Sequence, residues 1–346
     1  MIKVAFNISP LSSGHKTRGI GVYARNLMEH LQKRSEVVIE EFSDISEVKD
    51  ADLVHFPFWD LFQRSLPLKN KFPTIVTIHD AIPLIFSQHY PPGIKGKINN
   101  FWQRQALRDV KAVITDSRSS KQDISKYLHV PLNKIFPIPL APAADFQPVK
   151  DLKKLDQVRK KYNLPQKFVI FVGSVNWNKN LVGLTQASLE AGIEVFLVGK
   201  DFEDKSNLDH PERRSYAQFL EKFGDHPKVH LLGFVPTDDL VALINLAQVL
   251  LLPSYYEGFG LPILEAQSCG VPVITSKTSS MSEVAGEGAV LVDPYKVGEI
   301  AQAIDSILKN DKLRRDLVKK GEENVKRFTW EKTVSETINV YQQVVN

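Results

Sequence analysis

A chain of 346 residues with 43% apolar and 24% charged side chains has the make-up of an ordinary globular protein at about twice the usual domain size, so two domains are expected. No apolar run approaches the roughly 20 residues that cross a bilayer, and residues 1–7 read as a strand rather than a signal peptide, so a cytoplasmic protein is expected. The single Cys269 excludes an internal disulfide or a cysteine cluster, and the nine histidines show no ligand spacing, so no metal is expected.

Short β-branched runs alternate with longer amphipathic stretches, the pattern of βαβ units that build parallel sheets with helices on both faces. The first half predicts strands at 2–8, 37–42, 52–56, 74–78, 112–115 and 134–138, with helices near 19–34, 94–110 and 117–128. Pro137, Pro139, Pro142 and Pro148 follow, too many prolines for a helix or a central strand, and place the linker there. A second series predicts strands at 168–172, 194–198, 229–232, 249–252, 272–275 and 289–292. Its helices are expected near 180–191, 212–223, 237–246, 262–268, 297–309 and 311–326, with one more over 330–345. The expected class is α/β, two doubly wound parallel-sheet domains over 1–145 and 146–328, and a helix over 329–346 that packs back toward the first.

The formal charge is +4, and residues 1–149 hold 19 Lys and Arg against 14 Asp and Glu, so the basic excess is N-terminal. Lys95, Lys97, Arg104, Arg108 and Lys111 lie among Ile94, Ile98, Phe101, Trp102 and Leu107 at near-helical spacing. Two readings stand for 94–111. One is a solvated basic face over a buried apolar stripe; the other is contact with an anionic membrane surface or a lipid phosphate, peripheral to the inner face of the cell membrane. Nucleic acid is not an expected partner, because neither a recognised fold motif nor a uniform basic stripe is present.

Ligands of doubly wound sheets bind outside the carboxyl ends of strands, and four loops there carry candidate chemistry. After Val249-Leu250-Leu251-Leu252 comes Ser254-Tyr255-Tyr256-Glu257-Gly258-Phe259-Gly260-Leu261-Pro262-Ile263-Leu264-Glu265-Ala266. Two glycines permit a tight turn, and a helix starting near Leu261 would offer N–H groups and a positive dipole end to a diphosphate. Glu257 lies before the turn and Glu265 about one helical turn inside, so one carboxylate could hold a ribose and the other a hexose. Surface or helix-capping acids are the alternative. Thr17-Arg18-Gly19-Ile20-Gly21-Val22-Tyr23 opens a helix with glycines suited to close phosphate approach, or forms a structural turn; it lacks the spacing of a dinucleotide fingerprint. Thr74-Ile75-Val76-Thr77-Ile78 ends in His79-Asp80, polar residues just past a strand, with His55 on a neighbouring strand end. Phe171-Val172-Gly173-Ser174-Val175-Asn176-Trp177-Asn178-Lys179 follows the first strand of the second domain.

The string from Glu257 through Gly-Phe-Gly-Leu-Pro to Glu265, continuing to Gly270-Val271-Pro272-Val273-Ile274, closely resembles the nucleotide-sugar signature of family 4 glycosyltransferases. These are retaining enzymes of GT-B fold, two Rossmann-like domains facing a central cleft. The resemblance spans nearly the whole chain and is stronger in the second domain. It implies that Glu257 contacts the transferred sugar, that Glu265 binds the ribose hydroxyls, and that the backbone at Gly258, Phe259, Gly260 and Leu261 meets the diphosphate. Gly19 and Gly21 match a loop that closes on the donor phosphate and acceptor, and His79 matches a histidine beside the donor sugar. Asp80 is left either to orient His79 or accept a hydrogen bond from the acceptor, or to cap a helix.

In the loop with Gly173, Lys179 matches a phosphate cation, whereas Ser174 and Asn178 stand where an arginine is common. That leaves the diphosphate to Lys179, backbone amides and Arg18. Gly199 and the backbone of Phe234 and Val235 resemble the border of the nucleotide pocket. The implied reaction is metal-independent hexosyl transfer with no cofactor, from a GDP-sugar (GDP-mannose first) or a UDP-sugar, to a glycan or lipid-linked acceptor in polysaccharide biosynthesis. A non-enzymatic nucleotide-sugar or polysaccharide binder, and a GT-B phosphorylase or epimerase, are the alternatives.

Overall fold

A computed structural model describes residues 1–12 and 19–346, so Arg18 lies outside the described residues. The chain forms two compact units, one of Met1–Ala141 with Phe328–Asn346 and the other of Pro142–Arg327.

The first unit holds strands β1 (Ile2–Asn7), β2 (Val37–Phe42), β3 (Leu53–Phe56), β4 (Thr74–Thr77), β5 (Ala112–Thr115) and β6 (Ile135–Pro137), in the order β2-β1-β3-β4-β5-β6. All pairs are parallel. β3, β4 and β5 are buried at every position, as strands covered by helices on both faces must be. Pro137 is tolerated because β6 is an edge strand and needs no donor on its outer side.

The second unit holds β7 (Phe168–Val172), β8 (Glu194–Val198), β9 (Val229–Gly233), β10 (Val249–Leu252), β11 (Val273–Ser276) and β12 (Ala289–Val292), in the order β12-β11-β10-β7-β8-β9, also parallel. Each sheet therefore reverses its winding direction once, between β1 and β3 and between β7 and β10. Those reversals open crevices at the strands' carboxyl ends.

Besides the short helices Ser9–Ser12, Ile82–Ile85 and Met281–Ala285, one longer helix escaped the sequence pattern. Leu152–Lys161 starts at Asp151, whose carboxylate accepts from the Lys153 and Lys154 amides, and it buries only Val158. A helix so polar shows no apolar period to read.

The basic helix forms over Gly93–Arg108 but is turned opposite to one of the two readings: its apolar stripe is not buried. The buried side is Gly96, Gln103, Ala106 and Leu107. Asn99, Asn100 and Gln103 donate to the carbonyls of Phe62, Leu61 and Gln63, and a Cβ on Gly96 would come within 2.9 Å of Pro92 Cβ. Side-chain amides, with Ala106 and Leu107, thus seat this helix, and Ile94, Ile98, Phe101 and Trp102 are left outside.

The C-terminal helix Trp330–Val345 belongs to the first unit. Tyr341 Oη lies 2.7 Å from His55 Nδ1, His55 Nε2 lies 2.9 Å from the Thr77 hydroxyl, and that hydroxyl lies 3.1 Å from Tyr23 Oη. Burial, with the charge of His79 second, pushes His55 down to about 3, so its ring stays neutral. His55 is therefore a satisfied core histidine rather than a site residue.

Candidate active site

The crevice between β7 and β10 is built by the loops that leave those strands. After β7, residues Trp177–Lys179 make a short 3₁₀ turn that ends at Asn180 in the left-handed region. The Asn180 amide donates to the carbonyls of Pro253 and Pro294, tying the loops after β7, β10 and β12 together. Asn178 is buried and does the same work: its side chain donates to the Tyr256 carbonyl while its own carbonyl accepts from the Tyr255 amide. It is a loop tie. Trp177, Tyr255 and Tyr295 stack in a ladder with 4.8 Å between successive rings.

These ties set Lys179 against Glu257. Lys179 Nζ donates to both carboxylate oxygens at 2.8 Å, and the Ser254 hydroxyl donates to Oε1 at 2.6 Å. Glu257 is only 6% exposed. Burying a carboxylate that deep is costly unless it is paired and hydrogen-bonded, and here it is both.

The turn that carries Glu257 is braced by a run of hydroxyls at and just after the end of β11. Ser276 donates to the Ser254 carbonyl, Thr278 to that of Tyr255, and Ser280 to those of Glu257 and Phe259; Ser279 accepts from the Glu257 amide. None of these hydroxyls stands out as chemistry in the sequence. The signal that could have found them is the density of Ser and Thr from Thr275 to Ser280, across the end of a strand.

Gly260, at φ 102°, turns the chain into the helix Leu261–Ser268, a conformation that requires glycine. Pro262 has no N–H, and the Ile263 amide bonds to the Gly260 carbonyl. The Leu261 amide is thereby the first-turn donor without a partner among the described residues. The carboxyl of Glu265, half-buried on the same helix, has no hydrogen-bond partner among the described residues, and burial pushes it up to about 7.

At the other side of β7, Gly199 must be glycine: a Cβ there would sit 2.0 Å from the Gly173 carbonyl oxygen. Val235 is buried and Phe234 is 53% exposed. The Phe234 amide donates to Glu203, so what it offers a ligand is its ring rather than its N–H. Ser174 is half-buried on the loop after β7.

The first unit carries its own constellation. Gly19 and Gly21 lie in the first turn of the helix Gly19–Leu31, with Gly21 buried. His79 follows β4 and places Nδ1 2.7 Å from Asp116 Oδ2, just past β5. Its other face meets Tyr23 edge-on at 4.8 Å. Burial disfavours charge on His79, but Asp116 outweighs it, with smaller help from Asp80 and the Pro57 carbonyl, so the imidazole is raised above its ordinary value. Nε2 is left buried without a bond of proper hydrogen-bond geometry. Asp80 accepts from the Ile82 amide at the start of a short helix. Asp116 was missed because nothing in Thr115-Asp116-Ser117 distinguishes a site acid from a helix-capping one. Among the described residues no group of three or more His, Cys, Asp or Glu is placed to hold a metal ion, and no helix is long and apolar enough to cross a membrane.

Two outcomes follow from these ionisations. Below about pH 4.5 Glu265 carries its proton in both folded and unfolded chains; between there and about 7 only the folded chain keeps it, so stability falls as pH rises. The loss is roughly 2–4 kcal/mol by pH 8. Glu265→Gln should therefore melt higher than the parent at pH 8 and close to it at pH 4.5; equal melting at pH 8 contradicts this. For His79 the raised value means that the Asp116 pairing stabilises fully below pH 6.5 and is lost as pH climbs through the folded value. Asp116→Asn should lower the His79 titration in an NMR pH series, and an unmoved midpoint would remove Asp116 as the cause.

The comparisons with known proteins agree with this geometry. The model of glycosyl transferases group 1 matches residues 154–324, and that of glycosyltransferase family 4 matches residues 38–141. The chain is 31% identical over 273 residues to O-antigen chain mannosyltransferase B of Escherichia coli, which covers 78% of this chain and 70% of the relative. It is 25% identical over 298 residues to the serotype-specific mannosyltransferase WbdA of the same species, of which it spans 35% of the length. Among solved structures, Anabaena HepE in complex with UDP and glucose superposes with a TM-score of 0.77 at 16% identity, covering 99% of this chain and 100% of that one. Sucrose-phosphate synthase of Thermosynechococcus elongatus gives 0.75 at 22% identity, covering 99% of both. The sheet order, the loops at the β7/β10 reversal and the 31% relative lead to one conclusion: the chain belongs to glycosyltransferase family 4 and has its GT-B fold.

Proposed function

We propose that this glycosyltransferase moves a hexose, mannose in the first instance, from a nucleotide diphosphate donor to a hydroxyl of a glycan or lipid-linked acceptor in polysaccharide assembly, with retention at the anomeric carbon. The names of the two E. coli relatives support mannose, for which GDP is the first nucleotide to test, and the UDP complex of HepE puts UDP second. The cytoplasm, where such donors are made, is the proposed place of action.

The observation that carries the reading is the pair of half-buried Lys179 and buried Glu257 at the turn that leads into the Leu261 helix start. Breaking the bond from the anomeric carbon to the diphosphate oxygen puts positive character on the sugar and negative charge on the leaving group. Fixed charges aimed at both lower the barrier. Lys179 and the Leu261 amide oppose the negative charge, and Glu257 lies against the sugar. The acceptor oxygen then bonds to the anomeric carbon on the face the diphosphate leaves, and its proton passes to a diphosphate oxygen. Glu265, empty-handed in the free protein, accepts the ribose hydroxyls. Phe234 offers its ring to the base, and Gly173, Ser174 and Gly199 border the nucleotide. His79 presents its imidazole to sugar hydroxyls; Gly19, Gly21 and Arg18 are assigned to phosphate and acceptor, as is Asp80 in its second role.

Because Lys179 and the helix start meet the diphosphate, turnover is proposed to need no metal. Isothermal titration should rank GDP above UDP and ADP, with Glu265→Ala weakening the preferred nucleotide by about 1–3 kcal/mol. Turnover of GDP-mannose should survive EDTA. Unchanged nucleotide affinity in Glu265→Ala, or EDTA inactivation reversed by Mn²⁺, would contradict the proposal.

A further inference from the structure

The helix Gly93–Arg108 carries a surface that the reaction does not use. Its outer side presents Ile94 at 82% exposure, Ile98 at 52% and Phe101 at 55%, with Trp102 at 38% set edge-on to Phe101 at 5.3 Å. At about 100° per residue, Ile94, Ile98 and Phe101 fall within an arc of about 60°. A stripe of large apolar side chains turned to water costs free energy unless something covers it. Folding does not explain the orientation, since the helix is seated by Asn99, Asn100 and Gln103 together with Ala106 and Leu107, while Ile94, Ile98 and Phe101 face outward.

Charge indicates what covers it. Lys97, Arg104 and Arg108 flank the stripe on one side and Lys95 on the other, with Lys111 just beyond the helix. The helix holds no Asp or Glu; the acidic Asp109 comes only at its C-cap. A second copy of the chain docking through a two-fold axis would set these cations against themselves. An anionic headgroup layer instead takes the cations at its surface and the apolar stripe at its acyl boundary, with Trp102 at the level between.

We propose that the outer face of Gly93–Arg108 docks on an anionic lipid surface, Ile94, Ile98 and Phe101 entering the headgroup–acyl boundary and Lys95, Lys97, Arg104 and Arg108 contacting the headgroups. The docking does not rest on the donor reading.

The test is flotation of the whole chain with vesicles of phosphatidylcholine alone and of equal parts phosphatidylcholine and phosphatidylglycerol. The parent should bind the mixed vesicles at least tenfold better than the neutral ones, and binding should fall as salt is raised. Ile98→Asp with Phe101→Asp should lose at least tenfold, as should Lys95→Glu with Lys97→Glu, with thermal unfolding and nucleotide binding unchanged. No binding by the parent would overturn the proposal, as would equal binding by the Ile98/Phe101 variant. A parent dimer that this variant converts to monomer would assign the face to a second copy instead.

Discussion

The second unit is organised around one costly contact, a half-buried lysine held against a buried glutamate. Taking Lys179 and Glu257 from solvent carries a desolvation penalty that their mutual attraction only partly offsets, and apolar residues of the same volume would serve folding as well or better. The penalty is contained by geometry. Lys179 reaches both carboxylate oxygens, Ser254 bonds one of them, and the Glu257 amide is held by Ser279. Removing either charge alone strands the other in a buried place, which typically costs several kcal/mol. The hydroxyls of Ser276, Thr278 and Ser280 and the amides of Asn178 and Asn180 are best understood as the frame for that pair.

The first unit solves a related problem by dividing two histidines. His55, between Tyr341 and Thr77, is neutral and structural; His79, against Asp116, is held toward its charged form. His55 lies on β3 and His79 just past the adjacent β4, and Thr77 and Tyr23 stand between the two environments. The C-terminal helix contributes to that division by supplying Tyr341, so the last residues of the chain shape the surroundings of a residue at the end of β4.

The parallel sheets were legible in the sequence because buried parallel strands read as short apolar runs, and Val249-Leu250-Leu251-Leu252 is such a run. The helix start at Leu261 was legible from Gly260 and Pro262. Less visible was everything that depends on contacts distant in the chain: Asp116 pairs with His79 across 37 residues, and Lys179 meets Glu257 across 78. Asn178 shows the limit most clearly, since a position that family pattern associates with phosphate is filled by a residue committed to a neighbouring carbonyl. The helix Gly93–Arg108 shows another: periodicity finds an apolar stripe but cannot say whether it faces inward, because here the amide side chains take the inner side.

The central claim is that Lys179 and Glu257 act as one unit on the donor. Its most direct test is a double-mutant cycle of Lys179→Met, Glu257→Gln and the pair together, measuring kcat/KM with the nucleotide sugar that the parent turns over and thermal unfolding alongside. If the pair is the working centre, each single change lowers kcat/KM by about 100-fold or more, and the double variant is no worse than the weaker single. Near-parental turnover in either single variant, or losses that simply multiply in the double, would contradict it.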